Sequence, residues 1–119
     1  MFAPIDRFVA YRCNVRLRKA FQYSSGASEK PVIQMIIVEL SSGDVSGFGE
    51  FYPTSLNYPP GIPGTSTLAE WDEVLSSCES LLGKDAAELR RLIPEHYDGV
   101  ADASGIVDCL DFALHDLVG

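Results

Sequence analysis

Cysteine, histidine and long apolar runs are scarce in this sequence, and each shortage excludes a class of protein. The 119 residues include two histidines and three cysteines. An odd number of widely spaced cysteines excludes a disulfide framework and disfavours a structural zinc site. The longest aliphatic run, residues 35–38, is far below the ~20 apolar residues of a membrane span. The N-terminus shows no signal peptide. We therefore expect a cytoplasmic protein with no membrane partner, in which Cys13, Cys78 and Cys109 are small buried hydrophobic residues.

Basic side chains are also few, nine against seventeen acidic ones, which gives a net charge of −8. Such a chain has no general attraction to phosphate backbones, so we expect no nucleic-acid partner. The charge is unevenly distributed, because residues 1–30 carry six basic and two acidic groups while the remainder carries three and fifteen. We expect the first strand and the helices to attract one another through oppositely charged solvated faces. A basic ligand-binding stripe is the alternative.

The first half of the chain has the pattern of three strands. From Val9 to Leu17, apolar residues alternate with Ala, Asn and Arg, which predicts a strand with its apolar face inward and its basic face outward. Residues 32–40 are apolar on both faces, as in a central strand. A turn at Gly43 leads to a third strand over residues 45–51. Strands joined in this order predict an antiparallel meander.

A proline-rich segment, residues 52–64, follows the strands and excludes a helix there. The remainder predicts about three helices: one capped by Thr67 and ending at Gly83, a short one opened by Asp85 before Pro94, and one from near Ser104. The fold class is therefore α+β, a three-stranded antiparallel meander followed by helices. The last helix is apolar over more than one side, so either it is buried centrally or one side packs on something outside this chain.

The run Gly47-Phe48-Gly49-Glu50 is the most distinctive short motif. Glycines that alternate in a strand leave one face without side chains, which lets another backbone approach closely. Glu50 lies on the opposite face, where a structural carboxylate is a better interpretation than a catalytic one. Asp108, Asp111, Asp116 and His115 in the last helix lack metal-ligand spacing, so we interpret them as a solvated face.

Taken together, these motifs resemble the N-terminal capping domain of the enolase superfamily, in its mandelate racemase and muconate lactonizing enzyme branch. The matching pieces are the Ser-Ser-Gly-Asp turn at 41–44, the Gly-Phe-Gly-Glu run, the proline-rich loop, Leu-Leu-Gly at 81–83 and the closing segment 113–119. They follow one another in the family's order over nearly the whole chain. The closing segment most resembles muconate cycloisomerases and dipeptide epimerases.

The resemblance implies a lid on a (β/α)-barrel that is absent from this chain. In the family, barrel residues bind Mg²⁺ and abstract a proton next to a carboxylate, so the resemblance implies Mg²⁺ and a small carboxylate substrate for the parent enzyme. It implies no metal ligand and no catalytic residue in this chain, which alone would be inactive, and it leaves a homo-oligomeric parent open. Two capping-domain loops close over the barrel, and they correspond here to residues 21–29 and 52–64.

Within those loops, the resemblance makes five residues candidates for substrate contact: Phe21, Tyr23, Tyr52, Thr54 and Tyr58. It assigns Gly47 and Gly49 to packing and Glu50 to holding the domain in position. We thus expect residues 1–119 to be one capping domain. The alternative is a free-standing α+β binding module that uses the loop at 52–64 as its contact surface.

Overall fold

A three-stranded sheet with helices on one face forms the part of the chain that the computed structural model describes, residues 4–21, 30–53, 68–100 and 103–119. The strands are β1 (Arg7–Phe21), β2 (Lys30–Ser42) and β3 (Val45–Phe51), antiparallel and in that order. The helices are α1 (Leu68–Ser77), continued by a 3-10 turn at Cys78–Leu81, then α2 (Ala86–His96) and α3 (Ala103–Val118). The predicted α+β arrangement is confirmed. No helix in the described ranges is long and apolar enough to cross a membrane.

The strands differ in length, and this shapes the sheet. β3 pairs with β2 only from Ser42 to Ile36, while β1 and β2 stay paired as far as Phe21 and Lys30. The β1–β2 hairpin therefore projects beyond the end of β3. At the other end, Gly43 has a φ of +59° in the turn between β2 and β3, a conformation that glycine adopts without steric cost.

The core lies between the sheet and the helices. From β2, the side chains of Ile36, Val38 and Leu40 are buried on the helix side, as the period of two in a strand requires. Each contributes about 1.5–3 kcal/mol by leaving water. Ile5, just before β1, is buried as well, and the helices supply most of the other large buried side chains, among them Trp71, Leu89, Ile93, Ile106, Leu110 and Leu114.

The predicted orientation of β1 is wrong. The register pairs Ala10 with Val38 and Arg12 with Ile36, so the even-numbered residues of β1 face the helices. Arg12 reaches Asp72 of α1 at 3.4 Å, an instance of the expected attraction between strand and helices, though an exposed pair adds only about 0–1 kcal/mol. The alternation of residues distinguishes two faces, but the register and the position of the helices decide which face is covered.

The apolar residues at odd-numbered positions of β1 that the prediction placed inward, such as Tyr11, Cys13 and Val15, consequently lie on the open face of the sheet. Tyr11 is 41% exposed and Val15 37%. The expectation of a buried Cys13 is therefore wrong, since its side chain is half-buried there, whereas Cys78 and Cys109 are buried as predicted.

The helix boundaries partly follow the predictions. Asp85 accepts a hydrogen bond from the backbone N–H of Glu88 at 2.9 Å, which confirms the predicted cap of α2. Pro94 does not end α2 as expected, because it lies in the final turn and the helix continues to His96. The first helix changes to a 3-10 turn after Ser77, although the prediction continued it to Gly83.

Two thiols and a phenol are enclosed in this core. Burial raises the pKa of Cys109 from its ordinary 9.0 to about 12, and that of Cys78 to about 11. The Cys78 sulfur lies within hydrogen-bonding distance of the Tyr97 hydroxyl. Burial, followed by the electrostatic effect of Cys78, raises the pKa of Tyr97 as well.

These shifts predict a loss of stability in alkali. The unfolded chain releases thiol protons near pH 9, whereas the folded chain retains them up to pH 11–12. The unfolded state therefore binds fewer protons in that window, and the free energy of unfolding falls as the pH rises. We expect a fall of about 4 kcal/mol between pH 8.5 and 11, roughly half of it from each thiol, measured from urea midpoints, and about half that fall for Cys109→Ala. A constant free energy of unfolding over this range would contradict buried, neutral thiols.

Candidate functional site

Gly47 and Gly49 bring the backbone of α3 directly onto the backbone of β3. A Cβ added at Gly47 would overlap the Ala113 carbonyl oxygen and lie 2.8 Å from the Cα of Leu117. At Gly49 it would overlap the carbonyl oxygen of Cys109 and lie 2.9 Å from its carbonyl carbon. Only glycine leaves room for this approach. The face of the motif that has no side chains is therefore the surface on which α3 packs.

The other two residues of the motif, Phe48 and Glu50, face solvent. Phe48 is 50% exposed and Glu50 is exposed as well. The backbone N–H of Phe48 donates a hydrogen bond to Oδ2 of Asp116 at 2.9 Å. Because β3 is an edge strand, this carboxylate satisfies an amide that would otherwise be open to another strand. Asp116, which the sequence placed on a solvated face, thus connects α3 to the strand edge.

An open groove of about 840 Å³ lies where β3 and α3 meet. Phe48 and Phe112 contribute large apolar surfaces to it, and Phe112 is 67% exposed. Its ionisable lining residues are Glu50, Asp116 and His115. The lining therefore combines aromatic surface with carboxylates.

His115 is oriented by the acidic residue one turn earlier. Its Nε2 lies 3.5 Å from Oδ2 of Asp111, and Oδ1 of Asp111 accepts a hydrogen bond from Nε of Arg90 at 3.2 Å. All three side chains are about half exposed. This network links α2 to α3 on the surface.

The described residues do not form a metal centre. In those ranges no group of three or more His, Cys, Asp or Glu side chains could hold a metal ion. Glu50 and Asp116 both line the groove, but hard cations such as Mg²⁺ need several converging oxygens. We therefore derive no metal-dependent step from this chain's own side chains.

The predicted substrate-contact residues are only partly within the described ranges. Tyr52 directly follows β3, is half-buried and has its hydroxyl shielded from solvent. The backbone of Phe21 ends β1 opposite Lys30. Tyr23, Thr54 and Tyr58 lie outside the described residues.

The segment that begins at Tyr52 is anchored firmly at its start. Phe51 packs on Trp71 with ring centroids 5.1 Å apart, and its ring also lies against Gly105 at the beginning of α3. Pro53 is buried. Because the β1–β2 hairpin projects past the same end of the sheet, both predicted lid segments begin at that end.

Sequence reasoning missed the exposed pair Phe48 and Phe112. Phe48 lies within the glycine motif, and the sequence analysis considered only the face of that motif that has no side chains. Phe112 lies between the polar Asp111 and the buried Ala113 in α3, and was not assigned to the apolar face of that helix. The available signal was a large aromatic residue outside the buried stripe of an amphipathic helix.

Solved structures with this fold include mandelate racemase and muconate lactonizing enzymes and dipeptide epimerases. The protein of that name from Herpetosiphon aurantiacus superimposes with a TM-score of 0.73 at 23% identity, over 96% of this chain and 30% of its own. A dipeptide epimerase from Methylococcus capsulatus, complexed with Mg and the dipeptide L-Arg-D-Lys, gives 0.70 at 22%, over 97% and 31%. The L-Ala-D/L-Glu epimerase from Bacillus subtilis gives 0.67 at 18%, over 93% and 30%.

These comparisons confirm the fold that the resemblance implied, that of the enolase N-terminal domain. At such identities the likeness establishes the fold alone. The chain spans about 30% of the length of the structures it matches. No protein-family model and no curated protein matches the sequence.

The glycine contact predicts a severe effect of one added methyl group. Gly49→Ala should lower the free energy of unfolding by about 3 kcal/mol, because the new Cβ overlaps the backbone of α3 rather than a movable side chain. The control Val45→Ala lies on the same strand, where Val45 is 54% exposed, and should change it by no more than about 0.5 kcal/mol. Urea denaturation measures both. Equal midpoints for the two variants would contradict the close contact.

The hydrogen bond from the Phe48 amide to Asp116 should protect the edge of β3 from hydrogen exchange. Asp116→Ala removes the acceptor of the Phe48 amide, so hydrogen exchange at that amide should accelerate about five- to tenfold, as expected for a bond worth about 1 kcal/mol. Asp108→Ala, at an exposed position on the same helix, serves as the control and should leave the exchange rate unchanged. An unaltered Phe48 rate in Asp116→Ala would show that the carboxylate does not hold this edge.

Proposed function

We propose that this chain is the N-terminal capping domain of an enolase-superfamily isomerase or lyase of the mandelate racemase and muconate lactonizing enzyme branch. One observation carries the proposal: 96% of the chain superimposes on about 30% of such an enzyme. The order of the sequence motifs supports it independently of the superposition. The parent resembles muconate cycloisomerases or dipeptide epimerases, and we place it in the cytoplasm.

In this proposal the chain supplies the lid, and the barrel supplies the chemistry. Two of the neighbouring epimerases are complexes with Mg, which supports Mg²⁺ in the parent. The described residues hold no metal cluster, so we assign the metal and the groups that move the proton next to the substrate carboxylate to the barrel. The role of this chain is to exclude water and select the substrate.

The substrate-contact residues of the lid are part of the proposal. Phe21 and Tyr23 belong to the segment 21–29 between β1 and β2, and Tyr52, Thr54 and Tyr58 to the proline-rich segment. The common origin of both segments at one end of the sheet supports a shared role. Aromatic rings with polar tips are suited to line a small-molecule pocket.

The test is α-proton exchange by the full-length protein. The purified protein is incubated with Mg²⁺ in heavy water and a panel of dipeptides and muconolactone. For at least one compound of the panel, NMR should show that deuterium replaces the proton next to the carboxylate. Tyr58→Ala should change the ratio of kcat/KM between two substrates by about tenfold. The Mg²⁺ dissociation constant should stay unchanged, because the metal is bound elsewhere.

Tyr11→Ala is the matched control, since Tyr11 is an exposed tyrosine on the open face of the sheet and belongs to neither lid segment. It should leave the substrate ratio as it is. If no substrate in the panel exchanges, the assigned reaction is wrong. If Tyr58→Ala and Tyr11→Ala behave alike while exchange occurs, the specificity role of the proline-rich segment is wrong.

A further inference from the structure

A further groove, of about 350 Å³, lies among the helices. It is formed by the 3-10 turn, the connection from this turn to α2, and the C-terminal half of α2. It shares no lining residue with the groove between β3 and α3. Sites for small molecules have volumes of about 300–1,000 Å³ and combine apolar surface with a few polar groups. The lining here has that composition: Ser80, Leu81, Lys84, Leu92, Glu95 and His96.

Lys84 supplies a positive charge to this groove, in a chain whose net charge is −8. Its backbone is fixed, because the Lys84 carbonyl accepts from the N–H of Ile5 and the N–H of Gly83 donates to the Ile5 carbonyl, both at 2.8 Å. The ammonium group forms no ion pair with any side chain in the described ranges. This cation is therefore available to an anionic group of a ligand.

The last turn of α2 supplies two acceptors to the same groove. Glu95 is exposed and forms no ion pair with another described residue. His96 is held in position, because its Nε2 lies 3.2 Å from Oγ of Ser77 and its ring meets the ring of Tyr97 edge-on, with centroids 4.7 Å apart. The Ser77 hydroxyl donates to a backbone carbonyl at 2.6 Å. It therefore accepts the proton of Nε2, which leaves Nδ1 of the imidazole to accept a second hydrogen bond.

These polar groups specify a small zwitterion as the ligand. Lys84 attracts a carboxylate, while Glu95 and Nδ1 of His96 accept hydrogen bonds from an ammonium group. A phosphate or another dianion is disfavoured, since Glu95 and the net charge of −8 repel it. Leu81 is buried and Leu92 is half-buried in the lining, so the groove also offers apolar surface to a side chain of the ligand.

We propose that this groove is a binding site for a free α-amino acid with an apolar side chain, such as leucine. Lys84 pairs with the carboxylate of the amino acid. Glu95 and His96 bind its ammonium group, and Leu92 contacts its side chain. The volume, at the lower end of the usual range, favours a free amino acid over a larger molecule. The inference does not depend on the proposed function, because every residue of the site belongs to this chain.

Titration of leucine into the full-length protein, followed by saturation-transfer NMR, tests the site. A ligand of about nine non-hydrogen atoms in an open groove should bind with a Kd of about 1 mM. N-acetylleucine lacks the ammonium group and leucinamide lacks the carboxylate, so each should bind about fivefold more weakly through the loss of an ion pair. Absence of leucine binding up to about 20 mM, or equal affinities for the three compounds, would overturn the proposal.

Substitutions then locate the bound leucine. Lys84→Met and Glu95→Gln should each raise the Kd about fivefold. The matched controls Arg91→Met and Glu88→Gln, which are exposed on α2 outside the groove lining, should leave it unchanged. If Lys84→Met weakens binding no more than Arg91→Met, leucine binds elsewhere on the protein and the proposal is wrong. Circular dichroism verifies that each variant is folded, and the three compounds decide the matter on the unaltered protein if one is not.

Discussion

The backbone contact between β3 and α3 is the constraint on which the rest of this structure depends. Gly47 and Gly49 have no side chain to separate the helix from the strand, so the carbonyl groups of Ala113 and Cys109 lie against them. This approach buries one side of α3 over the sheet and leaves Phe112 on the other. It also brings Asp116 within hydrogen-bonding distance of the Phe48 amide. The groove at the edge of β3 follows from the same contact.

The fold could be predicted from the sequence wherever the local pattern has a single physical interpretation. Alternation predicted β1, a run of residues apolar on both faces predicted β2, Gly43 predicted the turn, and Asp85 with Glu88 predicted the cap of α2. Each of these depends on residues near one another in the chain. The orientation of β1 could not be obtained in this way. Its apolar and basic residues alternate, but the pairing of Ala10 with Val38 decides which set faces the helices, and that is a long-range property.

The site was less accessible to sequence reasoning than the fold. The glycine motif is recognisable in the sequence because side-chain-free strand positions are rare, yet the residues of α3 that cover it lie sixty or more positions further along the chain. The exposed position of Phe112 could not be predicted, because the period of an amphipathic helix identifies the buried face of that helix and not a second contact surface. Tyr52 lies at the end of the sheet from which the hairpin projects. That topology brings the starts of the two predicted lid segments, which are distant in sequence, to the same end of the sheet.

The central claim is that this fold serves as the lid of a larger enzyme, and the reading frame of the source gene tests it most directly. Sequencing the DNA beyond the codon for Gly119 should show a continuous frame of roughly 200 or more further residues, the size of a barrel domain. Lysine, aspartate and glutamate should occur at successive strand ends in that frame. A stop codon immediately after Gly119 would contradict the claim and favour a free-standing binding module.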